Sequence, residues 1–315
     1  MSRIAAVFPG QGSQSAGMLA ELADTWPQIE RTFAEASEVL GYDLWGVVRD
    51  NPDNALDRTE RTQPAMLAAD VAVARVWAAA GGPAPVLAAG HSLGEYAALV
   101  EAGAMAFADA VGVVAERARL MQNAVPAGEG GMAALLGLDD ERVVSICEAV
   151  PSARIVEPVN FNAPGQVVIA GHADAVSQAI ERAREAGAKR AVELPVSVPS
   201  HSSLMREAAA QLGETLAATA ITAPRIPVVH NVDAATHDDP QAIREALQRQ
   251  LYNPVRWTES VQALRDRGAD ALLELGPGKV LAGLTRRIDR TLAALPVQDA
   301  ATLDKALAHF REDDE

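Results

Sequence analysis

The sequence predicts an α/β protein in which a mainly parallel sheet forms the larger domain and a ferredoxin-like subdomain is inserted into it. Two patterns predict this class. Over most of the chain, short apolar runs that end at Gly or Asn alternate with segments of helical periodicity. In the middle of the chain, the segments follow one another in the order βαββαβ. A length of 315 residues suits a large domain with one insertion.

Four short apolar runs are predicted to be strands of the larger domain: Ile4–Phe8, Val86–Ala89, Ile226–Val229 and Ala271–Leu275. Apolar runs without polar alternation are typical of parallel strands that are buried on both faces. The helices predicted between these strands include Pro64–Ala80, Phe107–Asn123 and Leu204–Thr219.

The middle segments are predicted as strand Gly131–Leu138, helix Asp139–Val150, strand Arg154–Asn160, strand Gln166–Ala170, helix Asp174–Ala186 and strand Arg190–Pro195. This order is that of the split-βαβ, or ferredoxin-like, arrangement. We therefore predict an inserted subdomain at residues 124–197. The larger domain is then built from residues 1–123 and 198–315.

The chain is acidic, with a formal net charge of -15 from 27 Lys and Arg against 42 Asp and Glu. This balance argues against a nucleic-acid binder or an anionic-membrane binder, because both need a basic surface. A single cysteine, Cys147, excludes a disulfide framework and a cysteine-rich zinc site, and we predict no metal. The sequence shows no signal-peptide pattern and no membrane-length apolar stretch, so we expect a cytoplasmic protein.

The segment Gly90-His-Ser-Leu-Gly94 has the pattern of a nucleophile elbow. It follows a predicted strand and precedes a predicted helix from Leu93 to about Glu101. Glycines permit the tight turn that exposes the hydroxyl of Ser92, and the helix N-terminus favours developing negative charge. The alternative is a Gly-rich loop that packs closely against a helix.

A serine nucleophile needs a base, and the chain has six histidines. His201 is favoured because it lies in a loop where the chain returns from the subdomain to the larger domain, and sites form at such junctions. The other five are His91, His172, His230, His237 and His309. No carboxylate near His201 in the sequence stands out as its orienting partner.

Acyl transfer also needs donors for the oxyanion. The backbone N–H of Leu93, which follows the serine, is one candidate. The loop Pro9-Gly-Gln-Gly-Ser-Gln14 is the other, because its glycines allow a close approach of the backbone to a ligand. A nucleotide-binding loop is discarded, because the segment lacks the Lys-Ser/Thr of a Walker motif.

Five motifs occur together in order along the chain: Phe8-Pro-Gly-Gln-Gly-Ser-Gln14, Gly90-His-Ser-Leu-Gly-Glu95, Pro195-Val-Ser-Val-Pro-Ser-His201, Gln250-Leu-Tyr-Asn-Pro-Val-Arg-Trp257 and Glu274-Leu-Gly-Pro-Gly-Lys-Val-Leu281. With these motifs the sequence resembles the family of malonyl-CoA:acyl-carrier-protein transacylases over essentially its whole length. The resemblance implies a hydrolase-like α/β core with an inserted ferredoxin-like subdomain, in agreement with the pattern above.

The resemblance also implies roles for individual residues. Ser92 is similar to the family's nucleophile and His201 to its base, with the main-chain carbonyl of Gln250 orienting the histidine. The backbone N–H groups of Gln11 and Leu93 would form the oxyanion hole. An arginine that holds the malonyl carboxylate maps to Arg117; the nearby Arg119 lies two residues on and so faces elsewhere on a helix.

Further substrate contacts are candidates at His91, Met121 and Asn162. Turn capping is an equally good interpretation of Asn162, and core packing is the alternative for Met121. The family's protein partner is an acidic carrier, which would dock on local basic clusters. The candidates are Lys189 with Arg190 on the subdomain, and Lys279, Arg286, Arg287 and Arg290 on the larger domain.

The function implied is a ping-pong transfer of malonyl from malonyl-CoA to acyl carrier protein for fatty-acid synthesis, by a monomer without a resident cofactor. Leu93 after the serine and Ser200 before the histidine favour this over a stand-alone polyketide acyltransferase. Two other classes stay open: a serine esterase or thioesterase, and a non-catalytic carrier-binding module. The module would be expected to have lost Ser92, His201 or Arg117.

Overall fold

The computed structural model describes residues 3–151, 154–196 and 198–312. Within them, the strands are β1 (Ile4–Phe8), β2 (Leu87–Gly90), β3 (Gly130–Leu136), β4 (Val156–Ala163), β5 (Gln166–His172), β6 (Arg190–Glu193), β7 (Val228–Val229), β8 (Ala271–Leu275) and β9 (Ala293–Val297). The helices up to the subdomain are α1 (Ala20–Thr25), α2 (Gln28–Leu40), α3 (Leu44–Asp50), α4 (Thr59–Ala79), α5 (Gly94–Glu101) and α6 (Phe107–Asn123). The later helices are α7 (Asp140–Glu148), α8 (Ala173–Glu185), α9 (Arg206–Ala218), α10 (Pro240–Gln250), α11 (Trp257–Asp266), α12 (Val280–Ile288) and α13 (Ala300–Glu312), with short 3₁₀ helices at Pro52–Asp57 and Ser203–Met205.

The larger domain is built on a parallel sheet with the strand order β7-β2-β1-β8-β9. Its central strand β1 has side chains on both faces buried, since successive residues of a strand point to opposite sides. Ile4, Ala6 and Phe8 pack into the core beneath α2, α4, α6 and α9. Ala5 and Val7 pack into the second core, with α11 and α12. Helices therefore cover both faces of the sheet.

The subdomain is an antiparallel sheet with the strand order β4-β5-β3-β6. Its chain order is β3-α7-β4-β5-α8-β6, so the βαββαβ pattern predicted from the sequence is the observed one. Both helices pack on one face, where Leu135, Val143, Ile169 and Ile180 form a separate core. The predicted class, an α/β core with a mainly parallel sheet and an inserted ferredoxin-like subdomain, is confirmed.

Strand β4 joins the subdomain to the larger domain. The N–H of Phe161 donates to the carbonyl of Val255 at 2.9 Å, and the N–H of Val255 donates to the carbonyl of Val159 at 2.9 Å. The exact range 124–197 stays a prediction. Residues 1, 197 and 315, at which the predicted segments begin or end, lie outside the described residues.

Several predicted boundaries differ from the observed ones. The run Ile226–Val229 forms only the two-residue strand β7, and β9 has no counterpart among the predictions. Strand β9 contains Pro296, which cannot donate to a ladder and is tolerated because β9 is an edge strand. Helix α4 begins at Thr59 and not at Pro64, so Pro64 lies inside the helix, where it removes one backbone hydrogen bond. The extra turn brings Gln63 into the helix.

The helix predicted at Leu204–Thr219 begins with a 3₁₀ turn and becomes α-helical at Arg206. Across the described residues, no helix is both long enough and apolar enough to cross a membrane.

Helix α5 approaches the sheet so closely that its first residue must be glycine. A Cβ on Gly94 would lie 2.1 Å from the carbonyl oxygen of Phe8 in β1, and a Cβ on Gly90 would lie 1.9 Å from the backbone carbon of Gly94. Both contacts are with backbone, which cannot move aside as a flexible side chain can.

We expect Gly94→Ala to lower the free energy of unfolding by about 2–3 kcal/mol, because the added methyl overpacks the contact between α5 and β1. Gly112→Ala on α6 is the matched control, since its Cβ would meet nothing within 4 Å. It should raise the free energy of unfolding by about 0.5–1 kcal/mol. Urea denaturation measures both; equal effects of the two substitutions would contradict the packing argument.

Candidate active site

Ser92 lies at the tip of the turn between β2 and α5, at the carboxyl edge of the parallel sheet. Its φ of 53° is in the left-handed region, which is unfavourable for a residue with a side chain. Asn231, which follows β7, holds this turn from both sides: Oδ1 accepts from the N–H of Ser92 at 2.6 Å, and Nδ2 donates to the carbonyl of Gly90 at 2.7 Å. These bonds offset the strain of the turn.

His201 is the histidine that reaches the serine. Its Nε2 lies 2.7 Å from Ser92 Oγ, and its Nδ1 lies 2.7 Å from the carbonyl oxygen of Gln250. A carbonyl only accepts, so Nδ1 carries the proton and Nε2 is free to accept the hydroxyl proton of Ser92. This is the arrangement of a nucleophile and a base that is oriented by a third group.

Four of the other five histidines are bonded to groups other than Ser92. His91 Nε2 lies 2.8 Å from Asn162 Oδ1, so these two candidate substrate contacts bind each other across the boundary between core and subdomain. His230 is fully buried, with Nδ1 2.7 Å from Glu95 Oε1. His172 Nδ1 accepts from a backbone N–H, His237 lies beside Asp233, and His309 is on α13.

Arg117 on α6 points at the same serine. Its Nη2 donates to Ser92 Oγ at 3.2 Å and to Gln250 Oε1 at 3.1 Å, and its Nη1 donates to Gln63 Oε1 at 2.6 Å. The residue is only 1% exposed, and burial lowers the pKa of its guanidinium. Within the described parts of the chain its acceptors are all neutral, so a buried cation faces the serine without a bonded counter-ion. Arg119, in contrast, is exposed and paired with Glu116.

One of the two candidate oxyanion donors lies within the elbow, and the other lies in a loop that packs against it. Leu93 is the residue before α5, and Gln11 follows β1 in the loop that contains Gly10. This loop packs directly on the elbow, because a Cβ on Gly10 would lie 2.5 Å from the carbonyl oxygen of His91. Neither backbone N–H has an acceptor in the segments that the structure describes, so both are available to a ligand.

The remaining candidates lie away from the serine hydroxyl. Met121 is buried, and its sulfur is 3.4 Å from Gln63 Nε2.

Arg287 donates to Gln166 Oε1 at 2.5 Å and to the carbonyl of Pro164 at 3.2 Å, and so bridges α12 and the β4–β5 turn. Lys189, Arg190 and Arg286 are exposed. Their docking role stays a prediction, as do the roles of the other site residues.

Three residues of the site were not among the sequence candidates: Gln63, Glu95 and Asn231. Asn231 follows β7, and the carboxyl ends of parallel strands meet at one edge of a sheet, so its position carried a usable signal. Glu95 is the last residue of the quoted elbow motif and was not singled out. Gln63 gave no signal, because it reaches the site only through the extra turn of α4.

In the described ranges no group of three or more His, Cys, Asp or Glu is arranged to hold a metal ion.

Known proteins match this chain over nearly its whole length. A family model described as the acyl transferase domain matches residues 6–307. The malonyl CoA-acyl carrier protein transacylase of Salmonella typhimurium is 55% identical over 307 residues, which cover 98% of this chain and 99% of that protein. A protein of the same name from Bacillus subtilis is 44% identical and is matched over 100% of this chain and 99% of its own length.

Solved structures match equally well. The crystal structure of an acyl carrier protein S-malonyltransferase from Vibrio cholerae superposes with a TM-score of 0.93 at 56% identity, over 96% of this chain and 99% of that one. A malonyl-transacylase solved in complex with a type II PKS acyl-carrier protein superposes with a TM-score of 0.96 at 55% identity. That match covers 98% of this chain and 100% of the other.

His201 is surrounded so that its neutral form is strongly favoured. Burial disfavours the imidazolium, the positive charge of Arg117 adds to this, and together they lower the pKa of His201 from 6.5 to about 3. The unfolded chain therefore binds this proton more readily than the folded chain does. His201 accordingly reduces stability progressively as the pH falls from 6.5 towards 3.

We expect the Cε1–H signal of His201 in NMR spectra to show no titration between about pH 8 and about pH 5, where an ordinary histidine changes its charge. Arg117→Met should raise the pKa of His201, because the repelling charge is removed. Arg119→Met, on the exposed side of the same helix, should leave that pKa unchanged. A titration midpoint near 6.5 in the unsubstituted protein would contradict the assignment.

Proposed function

This chain belongs to the acyl transferase domain family, and from that premise we propose that it transfers the malonyl group of malonyl-CoA to the phosphopantetheine thiol of acyl carrier protein. The observation that carries the proposal is the buried guanidinium of Arg117, 3.2 Å from the hydroxyl of Ser92 and bonded otherwise to neutral amides. A malonyl thioester supplies a carboxylate for this cation and a carbonyl for this hydroxyl. A simple ester or a neutral acyl group supplies only the carbonyl.

In the first half-reaction, Ser92 Oγ attacks the thioester carbonyl while His201 Nε2 takes the hydroxyl proton. The carbonyl of Gln250 accepts from Nδ1–H and stabilises the imidazolium that forms. The N–H groups of Leu93 and Gln11 stabilise the oxyanion of the tetrahedral intermediate. Collapse of the intermediate breaks the C–S bond, and His201 returns the proton to the leaving sulfur of CoA.

In the second half-reaction, the thiol of the carrier's phosphopantetheine attacks the malonyl ester on Ser92. His201 takes the thiol proton and later returns it to Ser92 Oγ when the C–O bond breaks. The same histidine and the same oxyanion donors therefore serve both halves, as a ping-pong mechanism requires.

Arg117 orients the acyl group in both steps. A planar guanidinium binds a carboxylate through two parallel hydrogen bonds, which fixes the direction of the three-carbon chain and so the position of the thioester carbonyl. Binding of a carboxylate also offsets the positive charge next to His201. That change raises the pKa of His201 from its low value in the free enzyme and makes it a stronger base once malonyl is bound.

The proposal extends to supply of fatty-acid synthesis by a cytoplasmic monomer that needs no resident cofactor. Acyl carrier protein would dock near the mouth of the site, on basic groups that overcome the repulsion between two acidic proteins. Exposed Lys189 and Arg190 on the subdomain and Arg286 on the larger domain are candidates for this contact. Arg287 is the less available candidate, because it is bonded to Gln166 and Pro164.

We expect the purified protein to gain the mass of one malonyl group, located on Ser92, when it is mixed with malonyl-CoA. The ester should persist until a thiol acceptor is added, because the second half-reaction needs a thiol. Intact-mass measurement followed by peptide mapping detects it. Absence of the adduct, or an equal adduct on Ser92→Ala, would overturn the proposal; rapid release of free malonate would favour the thioesterase alternative.

We expect Arg117→Ala to slow acylation of Ser92 by malonyl-CoA by about 100-fold or more, because a charge-assisted bidentate contact is lost. Acylation by acetyl-CoA should be spared or improved, since acetyl has no carboxylate. Quenched-flow measurement of the acyl-enzyme with both donors tests this, and Arg119→Ala is the control on the same helix. Equal losses with both donors would exclude the carboxylate-binding role.

A further inference from the structure

The side chain of Gln250 separates two buried groups of opposite charge. On one side, its Oε1 accepts from Arg117 Nη2 at 3.1 Å. On the other side, its Nε2 donates to Glu95 Oε2 at 3.0 Å. Arg117 is 1% exposed, while Gln250 and Glu95 are fully buried. A single neutral amide thus lies between a guanidinium and a carboxylate, both removed from solvent.

The orientation of this amide is determined by its neighbours. Glu95 collects three donors: His230 Nδ1 at 2.7 Å, the N–H of Asn231 at 2.9 Å and Gln250 Nε2. Gln250 Nε2 also donates to the carbonyl of Ser92 at 2.9 Å. Since a carboxylate and a carbonyl only accept, the NH₂ group must face them and the oxygen must face Arg117. The reversed amide would place donors against donors on the guanidinium side.

This arrangement leaves the guanidinium available for a ligand. Opposite charges attract strongly in a buried, poorly polarisable environment, and arginine and carboxylate form paired hydrogen bonds when they meet. Burial lowers the pKa of the Arg117 guanidinium, and the negative charge of Glu95 opposes part of this lowering. The two groups therefore interact electrostatically. With Gln250 between them, Arg117 bonds to amide oxygens, which a stronger carboxylate ligand can displace.

We propose that the side chain of Gln250 is a positioning residue that determines specificity for an anionic acyl group by keeping Glu95 from pairing with Arg117. This role is distinct from that of its main-chain carbonyl, which bonds to His201 whatever the side chain is. The inference rests on the proposed function, because it requires the carboxylate of the acyl donor to bind Arg117. It implies that a carboxylate side chain at position 250 would pair with the Arg117 guanidinium and so compete with the carboxylate of malonyl.

The test compares Gln250→Glu with Gln250→Met in acylation of Ser92 by malonyl-CoA and by acetyl-CoA. The glutamate has the shape of glutamine and turns one carboxyl oxygen to Arg117, while its other oxygen meets Glu95 and the carbonyl of Ser92. The comparison is therefore repeated at high pH, where a proton shared by the two carboxyl groups is lost and the added charge is present. The methionine removes all three side-chain hydrogen bonds without adding charge. We expect Gln250→Glu to lower the malonyl-to-acetyl ratio of kcat/KM by about tenfold or more, because specificity is the difference between the two donors' transition-state binding. Gln250→Met should slow both donors and change the ratio much less.

The same substitution in an Arg117→Ala background separates this role from a general loss of structure. If Gln250 acts through Arg117, Gln250→Glu should no longer change the malonyl-to-acetyl ratio once Arg117 is absent. Thermal denaturation of each variant identifies those that are folded, and the ratio is compared among folded variants. If Gln250→Glu does not fold, the same charge placed by Gln63→Glu on the Nη1 side provides the test, since Gln63 Oε1 is the other amide oxygen on Arg117.

An equal loss with both donors in Gln250→Glu, or an equal change of the ratio in Gln250→Met, would overturn the inference. So would a ratio that still changes when Arg117 is absent. Failure of the proposed function would look different, because the unsubstituted protein would then form no malonyl ester on Ser92.

Discussion

The close approach of helix α5 to strands β1 and β2 is the constraint on which the site depends. Gly90 and Gly94 allow backbone to meet backbone, and the chain between them must turn so sharply that Ser92 takes a left-handed conformation. This turn places Ser92 between β2 and α5, directly before the N-terminus of the helix. The loop that carries Gln11, one of the two proposed oxyanion donors, packs against the elbow at Gly10.

Neutral amides organise the charges around this turn. Gln63 and Gln250 bond to Arg117, Asn231 bonds to the elbow, and Gln250 and the N–H of Asn231 bond to Glu95. Amides can accept on one side and donate on the other, so they connect a buried cation and a buried anion without letting them pair. A site that is locally positive thus exists inside a chain whose net charge is -15. The overall charge therefore does not describe the surroundings of Arg117.

The subdomain borders the candidate site, although Ser92 and His201 both belong to the larger domain. Asn162 at the end of β4 bonds to His91 beside Ser92, and Glu157 on the same strand accepts from the N–H of Ser203, two residues after His201. Both contacts lie at the boundary between the subdomain and the core. A movement of the subdomain would therefore shift both the elbow and the loop that carries His201.

Local patterns of residues predict the fold class, the ends of β1, β8 and α6, and the elbow, because apolar runs, helical periodicity and glycine spacing are properties of short stretches of chain. The sequence singled out Ser92 from such a local pattern and favoured His201 for its position where the chain returns to the larger domain, whereas Arg117 and Gln250 took their proposed roles from the family resemblance. Only the tertiary structure brought His201 and Gln250 to Ser92, across 109 and 158 residues of chain. Only it revealed the contacts of Gln63, Glu95 and Asn231, since hydrogen bonds between residues from different elements leave no periodicity in the sequence.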